Sequence, residues 1–205
     1  MEKIFIPENC ASPDNVDKVV ACLRGNAVIA APTETVFGLM TLWQNEGGRK
    51  RIFAMKGRTF DKPLQMLAAD LKMATAAGVR TDKRIHKIAE TFWPGPLTVV
   101  LPANRNTTIG LRIPDHPLIL SLLKALGTPL AATSANLSGR PPALRPEEVA
   151  DRLKKNPDLL ITGRPAPGGK ASTVVSLLSD GWKLLREGPV TTSELTDLLG
   201  KQISS

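Results

Sequence analysis

Five polar clusters stand between apolar flanks in this chain. They are PTETVFGL at 32–39, KGRTFDKPLQML at 56–67, WPGPLTVVL at 93–101, GLRIP at 110–114 and TSANLSGRPP at 133–142. The flanks are short apolar runs such as 27–31, 64–68, 97–101, 109–113 and 129–132. Runs of that length, bounded by Gly and Pro, read as buried strands. Placing Lys, Arg, Thr, Ser and Asn at their ends builds polar loops at the edge of a sheet. A structural protein has little use for that arrangement. An enzyme holding a nucleotide and a second small polar substrate does.

Helical patterns alternate with these runs. Val16, Val19, Val20 and Leu23 recur at helical spacing, with Asp14 as the expected cap and Gly25 as the stop. A helix is expected over about 47–55, another from Thr81 through Ile85, Ile88, Ala89 and Phe92, and a third over 116–126. Pro146-Glu147-Glu148 reads as a further helix start. Strands are also expected at 4–6, 158–161, 173–177 and 182–185, and 139–146 is the best candidate for a mobile loop. The alternation argues an α/β fold with its site at strand ends.

With 205 residues, 42% of them hydrophobic, the chain can bury one sizeable core, so one domain over 1–205 is expected. No run approaches the roughly 18 apolar residues of a membrane span, and the first residues lack the apolar core of a secretory signal. No membrane association and a cytoplasmic location are therefore expected. A formal charge of +8 suits polyanions such as nucleotides or RNA, or simply a basic solvated surface. Cys10 and Cys22 match no zinc spacing and read as reduced thiols.

Several chemistries drop out. GRPAPGGK at 163–170 misses the P-loop pattern, because Gly169 separates Gly168 from Lys170 and Ala171 follows. His86 and His116 have no second ligand nearby in sequence, and there is no tyrosine. No metal site is expected. What remains is a kit of hydroxyl, amide and cationic groups suited to nucleotidyl transfer, which needs positioning and charge neutralisation more than a nucleophile. Lys56 and Arg58, two apart, point the same way if the segment is extended. They then flank an anion, or they are solvated residues closing a helix.

Taken together and in order, PTETVFGL, KGRTFDKPL, WPGPLTVVL, GLRIPDHP, PLAATSANLSGRPP, STVVSL and LREG resemble the YrdC family, the threonylcarbamoyl-adenylate synthases. The stretches span about 15–190, so the chain looks like the short form of the family. The resemblance implies a twisted, mostly open mixed sheet flanked by helices, with a concave, positively charged cavity. It implies synthesis of threonylcarbamoyl-adenylate from L-threonine, bicarbonate or CO2, and ATP, with release of pyrophosphate. The product would go to a separate tRNA threonylcarbamoyl transferase complex. Direct contact with tRNA or double-stranded RNA is also compatible with it.

By motif, Lys56 and Arg58 match the basic pair at the phosphate end and are the expected catalytic residues. Arg58, Lys62, Thr108, Ser134, Asn136 and Arg186 match ATP-side positions, with Asn136 either orienting its loop or serving only as a turn residue. Thr33, Arg112, Ala132 and Ser172 match the threonine pocket, Arg112 taking the carboxylate. Mg2+ would arrive on the triphosphate, and no prosthetic group is implied. Thr59, Phe37 and Pro142 depart from the usual Pro, Tyr and Ser of the family. The rival reading is a non-catalytic RNA-binding relative. A second rival, the carbamoyl-adenylate-forming domain of hydrogenase-maturation proteins, belongs to much larger chains rich in cysteine.

Overall fold

Along residues 97–102 the side chains alternate between two environments. Leu97, Val99 and Leu101 enter an apolar cluster, while Thr98 and Val100 line a cavity on the other face. This period of two is the geometry of a strand, and it repeats across half of a large sheet. The computed structural model describes residues 1–7, 12–59, 63–178 and 180–203, and of Arg105 the backbone alone. Its elements in order are β1 (Glu2–Phe5), α1 (Pro13–Arg24), β2 (Ile29–Ala31), β3 (Gly38–Leu42), α2 (Glu46–Lys56), β4 (Gln65–Leu67), α3 (Leu71–Ala76), α4 (Lys83–Phe92), β5 (Leu97–Pro102), β6 (Thr108–Arg112), α5 (Pro117–Leu126), β7 (Leu130–Ser134), α6 (Glu148–Asp151), β8 (Leu159–Thr162), β9 (Thr173–Ser176), β10 (Lys183–Arg186) and α7 (Thr192–Leu199).

The strands form one mixed sheet in the order β1-β8-β2-β3-β7-β4-β6-β5-β9-β10. Helices flank it unevenly. On one face, α1 and α5 cover β1 to β7 through Val19, Leu23, Ile119 and Leu123, packed on Ile29, Met40 and Leu130. The opposite face carries two clusters. One, under α2 and α6, holds Ile52, Phe53 and Val149 against Leu39 and Ala131. The other, under α4 and α7, holds Ile85, Ile88 and Leu195 against Met66, Val99, Leu111 and Val175. On the first face Leu67 of β4 still joins the cluster under α1 and α5, and among the described residues strands β6 to β10 carry no helical cover of this kind. The cavity lies there.

The expected α/β class and mixed sheet are found. Some local expectations are corrected. Ser12, not Asp14, caps α1: its hydroxyl accepts from Asn15 N at 3.3 Å, and Pro13 fills the first helical position. Helix α4 opens at Lys83 rather than at Thr81, and Asp82 caps it by accepting from the amides of Arg84 and Ile85. Strand β3 and helices α3 and α7 lay outside the sequence expectations. The 139–146 loop is tied down at several points. Asn136 Nδ2 donates to Arg140 O, Arg152 Nη1 to Pro141 O, and Phe37 N to Ala143 O.

Candidate active site

The cavity, about 240 Å³, is floored by the uncovered face of β4 to β9. Each strand contributes through its polar or small positions: Ala132 from β7, Gln65 from β4, Thr108, Gly110 and Arg112 from β6, Thr98 and Val100 from β5, and Val174 from β9. Thr35 and Val36 of the β2–β3 loop, Arg58 after α2, Ser134 ending β7, Ser172 before β9 and Arg186 ending β10 complete the walls. Three guanidinium groups thus share one cavity, and among the described residues its lining contains no carboxylate.

Arg112 is 3% exposed and held from behind. Its Nε donates to Gly95 O at 3.2 Å and its Nη2 to Thr35 Oγ1 at 3.1 Å, while Nη2 pairs with Glu34 Oε1 at 2.5 Å. Glu34 Oε1 also accepts from Asp115 N at 3.0 Å. Among the described residues Nη1 has no partner, so the group keeps donors for a ligand. Arg58 is half-buried, with Nη1 on Thr133 Oγ1 at 3.2 Å and Nη2 on Pro63 O at 3.1 Å. Arg186 clamps the Ser172 carbonyl through Nε at 3.0 Å and Nη2 at 2.7 Å. Burial of its guanidinium, then the positive charges of Arg112 and Arg58, pull its pKa below the ordinary arginine value. Like charges crowded in this way are relieved by an anion.

Lys56 occupies a different layer. It ends α2, and Gly57 follows as a left-handed cap at φ +56°, a conformation that glycine adopts without penalty. The turn sends Lys56 and Arg58 in different directions. Lys56 is 2% exposed and its Nζ donates to Ser134 O at 2.5 Å, Asn136 O at 2.8 Å and Asn136 Oδ1 at 3.1 Å. All three ammonium protons are therefore taken by the SAN turn, and Lys56 does not line the cavity. Burial, then the charge of Arg58, lowers its pKa to about 7.

Asn136 is equally occupied. Its Oδ1 accepts from Ser134 Oγ and Lys56, and its Nδ2 donates to Leu137 O and Arg140 O, both at 2.7 Å. Asn136 thus ties the turn to the start of the 139–146 loop and does not line the cavity among the described residues. Thr33 also sits behind the wall. It donates to Val36 O at 2.7 Å and lies 2.9 Å from Thr35 Oγ1, so Thr35 faces the cavity instead. Arg58, Arg112, Ala132, Ser134, Ser172, Thr108 and Arg186 are brought together, whereas Lys56, Thr33 and Asn136 support them from outside. Lys62 and Cys10 lie outside the described residues. Sequence reasoning missed Thr35, Thr98 and Gln65. The alternation of LTVVLP was the available signal for Thr98.

Among the described residues no group of three or more His, Cys, Asp or Glu is placed to hold a metal, and no helix is long and apolar enough to cross a membrane. The model of the Sua5/YciO/YrdC family, described as telomere recombination, matches residues 21–188. The chain belongs to this family. Threonylcarbamoyl-AMP synthase of Bacillus subtilis is 36% identical over 195 residues, covering 90% of this chain and 56% of the relative. That of Vibrio vulnificus is 33% identical over 185 residues, 85% of this chain and 98% of the relative. The structure of Sua5 from P. abyssi complexed with L-threonine superposes with a TM-score of 0.90 at 31% identity, over 98% of this chain and 61% of that one. The chain thus spans little more than half the length of the Bacillus relative and matches the Vibrio relative nearly end to end.

Proposed function

We propose that this member of the Sua5/YciO/YrdC family makes threonylcarbamoyl-adenylate from L-threonine, bicarbonate or CO2, and ATP. The observation that carries the reading is the convergence of Arg58, Arg112 and Arg186 on one cavity. Such a cavity suits a ligand with several negative charges in a row, here a carboxylate, a carbamate and a triphosphate. Relatives with threonylcarbamoyl-AMP synthase names, and one solved with L-threonine, support the choice among such ligands.

In this reading the amine of threonine gains a carboxy group, and an oxygen of that carbamate attacks the α-phosphorus of ATP. The new P–O bond forms as the bond to the β-phosphate oxygen breaks, and pyrophosphate leaves. Arg112 takes the threonine carboxylate with the two protons of Nη1, the nitrogen that its protein partners leave over. Arg58 and Arg186 neutralise the charge that spreads over the phosphoryl oxygens. Thr108 and Ser134 contact the nucleotide, and Ser172 closes the amino-acid side. Lys56 acts through the SAN turn, by fixing where Ser134 stands. Magnesium would enter on the triphosphate, since among the described residues the lining offers no anionic ligand. The adenylate then passes to a transferase acting on tRNA.

The test is pyrophosphate release by the purified chain, with threonine, bicarbonate and ATP omitted in turn. Release that needs all three is the expected result. Release indifferent to threonine would sink the reading.

A further inference from the structure

Four side chains along the cavity wall form one hydrogen-bonded series. Arg186 Nη2 lies 3.1 Å from Ser172 Oγ, Ser172 Oγ lies 2.8 Å from Thr98 Oγ1, and Thr98 Oγ1 lies 2.9 Å from Gln65 Oε1. The direction of the series follows from its ends. A guanidinium only donates, so Arg186 takes an acceptor position on Ser172. Among the described residues the Ser172 proton then has Thr98 Oγ1 as its acceptor, and the Thr98 proton has Gln65 Oε1. Reversing the Gln65 amide would leave one of these two hydroxyl protons without an acceptor. Ser172 and Thr98 are 2% and 3% exposed, so water does not offer a substitute. Arg186 therefore dictates that Gln65 keeps its oxygen turned to Thr98. Its Nε2 group has no partner among the described residues, and Gln65 lines the cavity.

The register says what that NH2 group would meet. Met66 pairs with Leu111 and Leu67 with Arg112, so Gln65 stands beside Gly110. Along that face of β6, Gly110 lies midway between Thr108 and Arg112. Gly110 has no side chain to fill the floor between Gln65 and Thr98; a Cβ there would sit 3.4 Å from Thr98 Cγ2 and 3.9 Å from Gln65 Cβ. On the proposed function, Arg112 holds the threonine carboxylate and Thr108 the nucleotide. The group between them is the carboxy group that joins the amino acid to the α-phosphate.

We infer that Gln65 is a catalytic residue of this chain: its Nε2 amide donates to a carbamate oxygen of the N-carboxy-amino acid and holds that group for attack. The inference rests on the proposed function. An amide donor suits the task because it disperses carbamate charge without adding a fourth cation beside Arg58, Arg112 and Arg186. Among the described residues no carboxylate in the lining competes for it.

The test uses the full chain and the variants Gln65→Met and Gln65→Glu. Pyrophosphate release is followed against bicarbonate in degassed buffer, threonine affinity is measured calorimetrically without bicarbonate, and Tm is recorded. Gln65→Met keeps the length and loses the donor. Its kcat/KM for bicarbonate should fall roughly 10- to 100-fold, the worth of one hydrogen bond to a charged group. Threonine affinity, KM for ATP and Tm should stay close to the parent values. Gln65→Glu still accepts from Thr98 but turns an oxygen on the carbamate, so it should fall further. Unchanged bicarbonate dependence in Gln65→Met would overturn the inference. So would an equal loss of threonine affinity without bicarbonate, which would mean that the amide reads threonine itself. Failure of the parent chain to release pyrophosphate would instead remove the proposed function, and this inference with it.

Discussion

An ammonium group at 2% exposure, surrounded by three backbone and amide oxygens, matters to folding before it matters to chemistry. Lys56→Met keeps the aliphatic stem and removes one donor each from Ser134 O, Asn136 O and Asn136 Oδ1; Ser134 O keeps Asn136 N and Asn136 Oδ1 keeps Ser134 Oγ, so Asn136 O loses most. A buried acceptor left unsatisfied costs about 1–3 kcal/mol, and a net loss of that order is expected in urea denaturation. Arg58→Ala is the contrasting change. Arg58 is half-buried and donates to Thr133 Oγ1 and Pro63 O, so stability should fall by no more than about 1 kcal/mol, while pyrophosphate release should fall at least about 100-fold. Equal stability losses in both variants would remove the division between a supporting lysine and a phosphate-facing arginine. The lysine also sets a pH dependence. Its pKa is about 7 in the folded chain and ordinary in the unfolded chain. Between those values the unfolded state binds the extra proton, so stability should rise as pH rises from about 7 toward 10. Below pH 7 both states are protonated and the slope disappears. Lys56→Met should lack this rise when compared with the parent across the same range.

At the scale of elements, α7 is tied by a capping box. Thr191 Oγ1 accepts from Glu194 N at 3.3 Å, and Glu194 Oε2 accepts from Thr191 N at 2.7 Å. Leu195 carries the helix into the cluster on the face opposite the cavity. Thr191→Ala should therefore cost about 1 kcal/mol of stability and leave pyrophosphate release unchanged. A loss of activity without loss of stability would mean that α7 reaches the site. The box was legible as Thr-x-x-Glu before an apolar pair, yet α7 is short and its pattern covers only two turns. Strand β3 was hidden for a different reason: it is buried on both faces, so residues 38–42 show no alternation. Strands β5, β6 and β7 and helices α1, α4 and α5 were legible because period and punctuation agreed. In the site, the motifs identified which segments meet, but not which layer each side chain occupies. Lys56 and Arg58 would share a side in an extended chain, and the left-handed Gly57 separates them. Thr33 and Thr35 exchange places because the β2–β3 loop folds the first hydroxyl back on Val36 O.

The whole molecule divides one sheet face into a covered half and an open half. Helices α1 and α5 seal the part from β1 to β7, and the part from β4 to β10 is left for ligand. The net charge of +8 does not by itself say where an anion binds, because basic residues are spread over the surface. The cavity separates the two cases. Lys18 on α1 and Lys124 on α5 are exposed on the covering helices, whereas Arg58, Arg112 and Arg186 share the open half. A ligand held by the three guanidiniums stabilises the folded chain by linkage. At a hundred times its Kd, ATP or pyrophosphate should add about 2.7 kcal/mol. For a chain of this size that is a rise in Tm of roughly 5–10 °C. Arg58→Ala and Arg186→Ala should each shrink the rise by more than half, and Lys18→Ala with Lys124→Ala should leave it intact. Salt supplies the second arm. A shift produced by diffuse surface charge fades within about one Debye length, so it should vanish between 0.05 and 0.5 M salt, at roughly the screening expected for exposed groups. A shift produced in the cavity should weaken and persist, since buried pairs are screened less. If the lysine variants lost as much as the arginine variants, and salt abolished the shift, anion binding would belong to the basic surface. The three arginines would then be a structural cluster, held by Glu34, Thr133 and the Ser172 carbonyl rather than kept for a ligand.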